Sequence, residues 1–144
     1  MPSGALHRII YMSTAVGVLR AEELDRIYLR AQAANARAGL TGLMLFYEGA
    51  FLQVLEGPTA GVTSLMEKIR RDRRHSGLVV LESSSTTERN FDNSLNFVSA
   101  RKLSAGEKQA FSELRQAVAA RAGASMPGLG LSDFLATFAA PKPA

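Results

Sequence analysis

Apolar residues along this chain follow two different spacings. Residues 6–13 (LHRIIYMS) alternate and are rich in β-branched and aromatic side chains, which predicts a first strand. Ile9, Tyr11 and Ser13 then share one face, and Ile10 and Met12 the other. After a loop at residues 14–20 the spacing lengthens. Leu24, Ile27, Tyr28 and Ala31 fall three and four apart, and Asn35 continues the stripe, so a helix is predicted from near Ala21. Glu22 and Glu23 suit its first turn, and Gly39 suits the position just beyond its end. The stretch AGLTGLMLFYEGAFLQVLEG follows. It predicts two apolar strands, residues 40–47 and 50–56, joined by the two-residue Glu48-Gly49 connection of a hairpin.

Gly57-Pro58 breaks the second of these strands and opens another helix, with a stripe of Val62, Leu65, Met66 and Ile69. The basic run Arg73-Arg74-His75-Ser76-Gly77 is expected to end it. Residues 78–82 and 93–98 predict strands four and five, joined by a polar loop at 83–90. The order β-α-β-β-α-β plus one strand predicts an α+β, ferredoxin-like fold: a mixed five-stranded sheet with two helices on one face. The tail, residues 101–144, differs in character and predicts a helical extension. Residues 107–121 form an amphipathic helix using Ala110, Phe111, Leu114 and Val118, and a Gly/Ser/Pro-rich break covers 123–130. Ser132 is placed to cap a last short helix carrying Phe134, Leu135 and Phe138, and the extreme C-terminus is expected to fray. An open sheet has a second face to cover; this tail is a candidate cover or a partner surface.

With 144 residues the chain fits one domain, and at 47% hydrophobic and 21% charged it has enough apolar content for a core. No apolar run approaches the ~20 residues of a membrane span. The N-terminus goes straight into a strand-like pattern, so no signal peptide is expected and a cytoplasmic location is the default. The lack of Cys removes disulfides, thiolate nucleophiles and cysteine metal sites. The net charge of +4 is concentrated at Lys68, Arg70, Arg71, Arg73 and Arg74, a solvated helix end or an anion site.

Three polar residues fall at positions expected to be interior: Tyr11, Asn35 and Gln53. A buried carboxamide left unpaired costs about 1–3 kcal/mol, so Gln53 needs a partner. Singly, each of the three reads as a satisfied core residue or a helix cap. Together they suggest a pocket lined by a phenol and two amides, suited to a flat ring carrying carbonyl and N–H groups. Lys68, Asp72 and His75 stand at i, i+4 and i+7, spacing that places all three on one helical face. They read either as a phosphate or sugar site or as an intrahelical Lys–Asp pair.

Other chemistries find no footing. There is no GxGxxG opening a helix and no GxxxxGK[ST]. His7 and His75 lie far apart without a carboxylate ligand pattern, so no metal is expected, and no nucleophile elbow appears. Acid/base catalysis is therefore not supported. A ferredoxin-like acyl-phosphate hydrolase would need an Arg in a glycine-rich loop ahead of the first helix. Nucleic-acid binding would need an aromatic platform among exposed basic strands.

Several of these residues together resemble a BLUF domain, a blue-light sensor that binds FAD. They are Tyr11-x-Ser13 closing strand one, Asn35 four residues before Gly39, and Leu40-Thr41-Gly42. FLQVLEGP at 51–58, Asp72-x-x-His75 and Arg89-Asn90-Phe91 complete the set. The resemblance covers about residues 6–98, so residues 1–100 are expected to form the flavin-binding domain. It implies FAD between the two helices with its ring over the sheet. Tyr11 would donate an electron and a proton to the excited flavin, and Gln53 would bridge the two and rearrange in light. Asn35 would hold the polar edge of the ring, Ile27 and Ile69 would sandwich it, and Phe51 would line the pocket. Lys68, Asp72 and His75 would meet phosphate, ribose and ring periphery, with Ser13 near Gln53.

The chain departs from the family pattern in two places. Family members often carry two adjacent Asn at the end of the first helix; here the first is Ala34, which removes one flavin hydrogen bond. Strand five usually carries a Trp and, two residues later, a Met. Without a gap Ser94 and Asn96 take those positions. With a one-residue deletion they become Asn93 and Leu95, and Ser94-Leu95-x-Phe97 then fits the family's Ser-Met-x-Phe and keeps Leu95 on the core. Asn93, Leu95 and Asn96 are thus the candidate signalling residues. The resulting expectation is a stand-alone photoreceptor without catalytic turnover. It would signal through strand five and the C-terminal helices to a separate protein partner, and self-associate as a homodimer or larger homo-oligomer. The alternative is a light-insensitive ferredoxin-like binding module that has lost or weakened its hold on flavin.

Overall fold

A computed structural model describes residues 5–120, 131–136 and 138. Its elements are β1 (Leu6–Ala15), α1 (Ala21–Ala38), β2 (Thr41–Tyr47), β3 (Ala50–Gly57) and α2 (Thr59–Arg71). They continue with β4 (His75–Thr86), β5 (Asn96–Val98), a 3-10 turn at Ala100–Lys102, α3 (Ala105–Ala120) and α4 (Leu131–Ala136). The strands form one sheet in the order β4-β1-β3-β2-β5. All neighbours are antiparallel except β2 and β5, which run parallel, so the sheet is mixed and the ferredoxin-like α+β expectation holds.

Local chemistry sets the joints. Glu48 and Gly49 both adopt left-handed backbone, at φ 48° and 79°. That is the type I′ geometry whose twist matches a hairpin, and it locks β2 against β3. Gly42 admits the close approach of β3: a Cβ there would lie 1.9 Å from the Val54 carbonyl oxygen. At the start of α3 the Ser104 Oγ accepts from the Glu107 N–H at 3.1 Å, and the Glu107 carboxylate accepts from the Ser104 N–H at 2.8 Å. This reciprocal box satisfies two N–H groups that helix geometry leaves open.

The alternation in β1 divides the core in two. Tyr11 joins Leu40, Leu55, Val62 and Met66 beneath α2. Met44, Phe51 and Leu95 pack beneath α1 against Leu24, Ile27 and Tyr28. Ile10, Met12, Leu43, Leu45 and Leu52 face the other way, where Phe111, Leu114 and Val118 of α3 and Phe134 and Leu135 of α4 cover them. Helices α3 and α4 of the tail therefore cover the second face. Their apolar stripe is buried for the same reason the strand alternates: each sheet face must leave water.

The boundaries differ from expectation in four places. Helix α2 stops at Arg71, and His75 begins β4 rather than ending the helix. Strand β4 runs on to Thr86 through half of the segment expected as a polar loop, because β1 pairs with it along its length, from Leu6↔Thr86 to Ala15↔His75. As an edge strand it tolerates serines. Strand β5 shrinks to three residues. Ser132 lies within α4, not ahead of it. The expected break at 123–130, Arg121 at the end of the expected tail helix and the frayed residues 140–144 fall outside the described residues.

Candidate functional site

Strands β1 and β3 are central neighbours, and their register sets Tyr11 directly opposite Gln53. The Tyr11 hydroxyl donates to Gln53 Oε1, and each residue is only 3% exposed. The amide singled out in the sequence thus has a protein partner for its carbonyl. Burial pushes the Tyr11 phenol well above its ordinary range, and the nearby Asp72 charge pushes the same way. The phenol therefore stays protonated and remains a donor at neutral pH.

Asn35, in the last turns of α1, has no exposed surface. Its Nδ2 donates to the Ser94 carbonyl at 2.7 Å. Its Oδ1 is the only buried side-chain N or O atom among the described residues without a hydrogen-bond partner. An acceptor left so costs about 1–3 kcal/mol, which points to a donor that a ligand would bring.

Asn35, Tyr11 and Gln53 line one cleft of about 230 Å³ between α1 and α2. Helix α1 contributes Ile27, Arg30, Ala31, Ala34 and Asn35, the sheet contributes Met44 and Phe51, and α2 contributes Leu65, Lys68 and Ile69. Asp72, Arg74 and His75 close it beyond α2. The small Ala31 and Ala34 leave room along the α1 wall, and Ile27 and Ile69 come from opposite helices. The floor is polar, the walls are apolar, and the exposed Arg30, Lys68 and Arg74 give a positive rim. The cleft thus offers an acceptor for a ring N–H, flat apolar walls and cations for phosphates. A flavin, with a planar ring whose edge carries carbonyl and N–H groups, fits this donor and acceptor set.

The rim is ordered by its own contacts. Asp72 Oδ1 accepts from the Arg74 backbone N–H and from Arg74 Nε, both at 2.9 Å. These bonds hold the Asp72 carboxyl below its usual range. His75 Nδ1 lies 2.7 Å from Ser13 Oγ, and its Nε2 lies 2.7 Å from the Ile69 carbonyl oxygen. With Ile69 O accepting, Nε2 carries the proton and Nδ1 accepts from Ser13. The ring thereby ties the end of α2 to β1, and it meets Phe51 edge-on at 6.5 Å.

The expected set comes together with corrections. Tyr11, Ile27, Asn35, Phe51, Gln53, Lys68, Ile69, Asp72 and His75 all line the cleft. Lys68, Asp72 and His75 do not share a helical face, because the helix ends at Arg71 and His75 pairs with Ala15 in the sheet. Asp72 pairs with Arg74 rather than Lys68. Ser13 does not line the cleft and reaches it through His75. Asn93 and Asn96 bond to each other at 2.8 Å, outside the cleft. Leu95 is buried against Met44 and Phe51, so the core place expected for it is the one it takes.

Several site residues were not anticipated. Arg30 and Ala31 stand three and four after Ile27, and Met44 shares the face of Gly42 and Phe46; the helical and strand periods carried both signals. Glu56, the last acid of FLQVLEG, was also missed. It is fully buried at the end of β3 and accepts from the Asn90 and Phe91 N–H groups, from Thr41 and from Arg8.

The BLUF family, described as sensors of blue-light using FAD, matches residues 6–96. The photoactivated adenylate cyclase subunit alpha of Euglena gracilis is 36% identical over 97 residues, 67% of this chain and 10% of that protein. The subunit beta of Euglena longa is 34% identical over 84 residues, 58% of this chain and 10% of that protein. The chain spans about a tenth of the length of these relatives. Among solved structures, a bacterial light-regulated adenylyl cyclase superposes with a TM-score of 0.70 at 30% identity, over 80% of this chain and 34% of its own. BlrB, a BLUF protein in its dark state, gives 0.65 at 26% identity, over 81% and 97%. BlsA in its photo-activated state gives 0.76 over 96% and 98%, and at 23% identity this is a likeness of fold. By the match over most of its sheet and both cleft helices, this chain belongs to the BLUF family of flavin-binding blue-light sensors.

Proposed function

We propose that the chain senses blue light with FAD held in the α1–α2 cleft, and that Tyr11 and Gln53 are its photoactive pair. The observation that carries this is the Tyr11–Gln53 hydrogen bond on the floor of a cleft that Asn35 also lines, with the Asn35 Oδ1 buried and unpartnered. When bound, the flavin supplies the absorption of blue light and, once excited, an electron acceptor. Tyr11 would be the electron donor, its hydroxyl proton leaving along the hydrogen bond to Gln53 and passing by way of that amide to the flavin, and both electron and proton would return to Tyr11 as the network resets. A carboxamide has an accepting end and a donating end. Turning Gln53 therefore changes which end faces Tyr11, and this exchange is the switch.

The remaining residues hold the ligand. Asn35 Oδ1 accepts an N–H from the polar edge of the ring, Ile27 and Ile69 flank it, and Phe51 and Met44 pack against it. Lys68 and Arg30 offer positive charge that suits the diphosphate of FAD, with Arg74 held beside them by Asp72. Asp72 orients Arg74, and Ser13 orients His75. Residues 1–100 form the flavin-binding unit and 101–144 the C-terminal extension, whose helices α3 and α4 cover the back of the sheet. The unit has no turnover of its own. It acts in the cytoplasm as a homo-oligomer and passes its state through the strand-five segment and the tail to a separate protein.

Purified protein reconstituted with FAD should be yellow, and blue light should shift its flavin bands reversibly to the red. Tyr11→Phe or Gln53→Leu should keep the flavin and abolish the shift. Protein that stays colourless with FAD sinks the sensor reading, and a normal photocycle in either variant refutes the assigned roles.

A further inference from the structure

The segment 93–98 is poorly held by the sheet. Strand β5 has three residues, its pairing to β2 runs from Leu43↔Asn96 to Leu45↔Val98, and one further backbone bond joins the Gly42 N–H to the Asn93 carbonyl at 3.3 Å. Immediately before it, two side chains of α1 hold consecutive carbonyls. Asn35 Nδ2 donates to Ser94 O at 2.7 Å, and the Tyr28 hydroxyl donates to Leu95 O at 3.0 Å. Residues seven apart stand two turns apart on one face of a helix, so α1 grips the segment with a single stripe. The Tyr28 ring also stacks on Phe97, with centroids 5.1 Å apart and planes 22° from parallel.

Both grips lead back to the cleft. The amide of Asn35 that holds Ser94 O is the one whose Oδ1 is buried and unpartnered, and Asn35 is one of the residues lining the cleft. The two ends of a carboxamide are rigidly joined, so a donor that engages Oδ1 moves and polarises the donor on Ser94 O. The second route runs across the sheet. Tyr11 stands opposite Gln53, Gln53 opposite Met44, and Met44 opposite Phe97. One row across four strands thus ends on the ring that Tyr28 covers.

We propose that Asn35 and Tyr28 are the coupling residues of this protein: they set the position of segment 93–98 according to the state of the cleft. The segment carries no aromatic side chain of its own in the cleft, since Phe97 lies outside it and Leu95 is in the core. Coupling therefore acts on the segment's backbone carbonyls. This rests on the flavin-sensor reading, and the test separates the two. A shared two-state element, not proximity, is what such coupling requires.

Tyr28→Phe removes one hydroxyl and keeps the ring. In flavin-free protein kept dark, hydrogen exchange at the amides of 93–98 should quicken by about 2- to 10-fold, the range one lost hydrogen bond implies. In flavin-loaded wild type, blue light should change exchange in 93–98. In loaded Tyr28→Phe the red shift should persist while that light-minus-dark difference falls at least several-fold. Phe97→Leu, which removes the stack from the other side, should act in the same direction. A wild type that shifts to the red with no exchange change at 93–98 overturns the coupling, as does a Tyr28→Phe protein with the full difference. Loaded wild type without any red shift overturns the sensor reading itself and the coupling with it.

Discussion

Glu56 offers the sharpest test of how the sheet is tied to the loop ahead of strand five. Its carboxylate has no exposed surface at the end of β3. Oε1 accepts from the Asn90 and Phe91 N–H groups at 2.8 Å each and from the Thr41 hydroxyl at 3.0 Å. Oε2 accepts from the Arg8 guanidinium at 3.3 Å. Glu56→Gln keeps the shape and forces one bad contact: with the carbonyl on the two N–H groups, the new NH2 points at Arg8. Removing one partner of a buried pair costs about 3–5 kcal/mol. The Arg8 side chain is 15% exposed and also reaches the Glu88 carbonyl, so water and that bond recover part of the loss. The expected destabilisation is about 2–3 kcal/mol, a large share of the ~5–15 kcal/mol that holds a typical domain. Glu56→Ala strands the backbone donors as well and should cost about 4–5 kcal/mol. Urea unfolding of wild type, Glu56→Gln, Arg8→Met and the double variant, all without flavin, measures the loss and its coupling. A Glu56→Gln midpoint within about 0.5 kcal/mol of wild type would refute the reasoning, because the clamp would then carry no charge-dependent stability.

Three further outcomes follow from the same contacts. Phe111→Ala empties a fully buried site against Tyr47 and Phe134, and thermal denaturation should show a loss of about 3–5 kcal/mol with α3 and the sheet melting together. Gly42→Ala drives a Cβ to 1.9 Å from a backbone oxygen of β3, so the hairpin must part, and circular dichroism should report a loss beyond the usual ~1–3 kcal/mol of overpacking. Because burial raises the Tyr11 phenol, the folded chain keeps a proton that the unfolded chain releases above about pH 10. Stability should then fall as pH climbs past that point, and Tyr11→Phe should flatten the fall in urea midpoints measured between pH 8 and 11 (an unchanged slope would place the loss in other groups).

The centre of the site was legible because two independent rules met there. A period of two assigns Tyr11 and Gln53 to the helix-covered face, and a two-residue hairpin fixes how β2 meets β3. The end of α2 was not legible. Lys68 to Arg74 is composed like a continuing helix, and nothing local says that Asp72 will bend back to its own Arg74. What ends the helix is tertiary: His75 is needed at once by Ser13 and by the Ile69 carbonyl, and only a strand position satisfies both. The run of strand β4 beyond its expected end at residue 82 hid for a related reason. The serines at 83–85 lack the apolar alternation that marks a strand, and an edge strand paired to β1 does not require it.

Segment 93–98 shows the deeper limit. Its side chains lack the Trp that family members carry there, and Asn93, Leu95 and Asn96 stand as the candidate signalling residues. Besides its short pairing with β2 and the stack on Phe97, the structure holds this segment by the carbonyls of Ser94 and Leu95, groups that every residue possesses. Their partners, Tyr28 and Asn35, lie about sixty residues earlier, where they read as members of a helical stripe. No property of residues 93–98 announces that grip, and no substitution within them removes it except by moving the backbone. A departure from family pattern on strand five therefore does not by itself disconnect the segment. The positions that would disconnect it are on α1, and Tyr28 is the one that can be changed without touching the wall of the cleft.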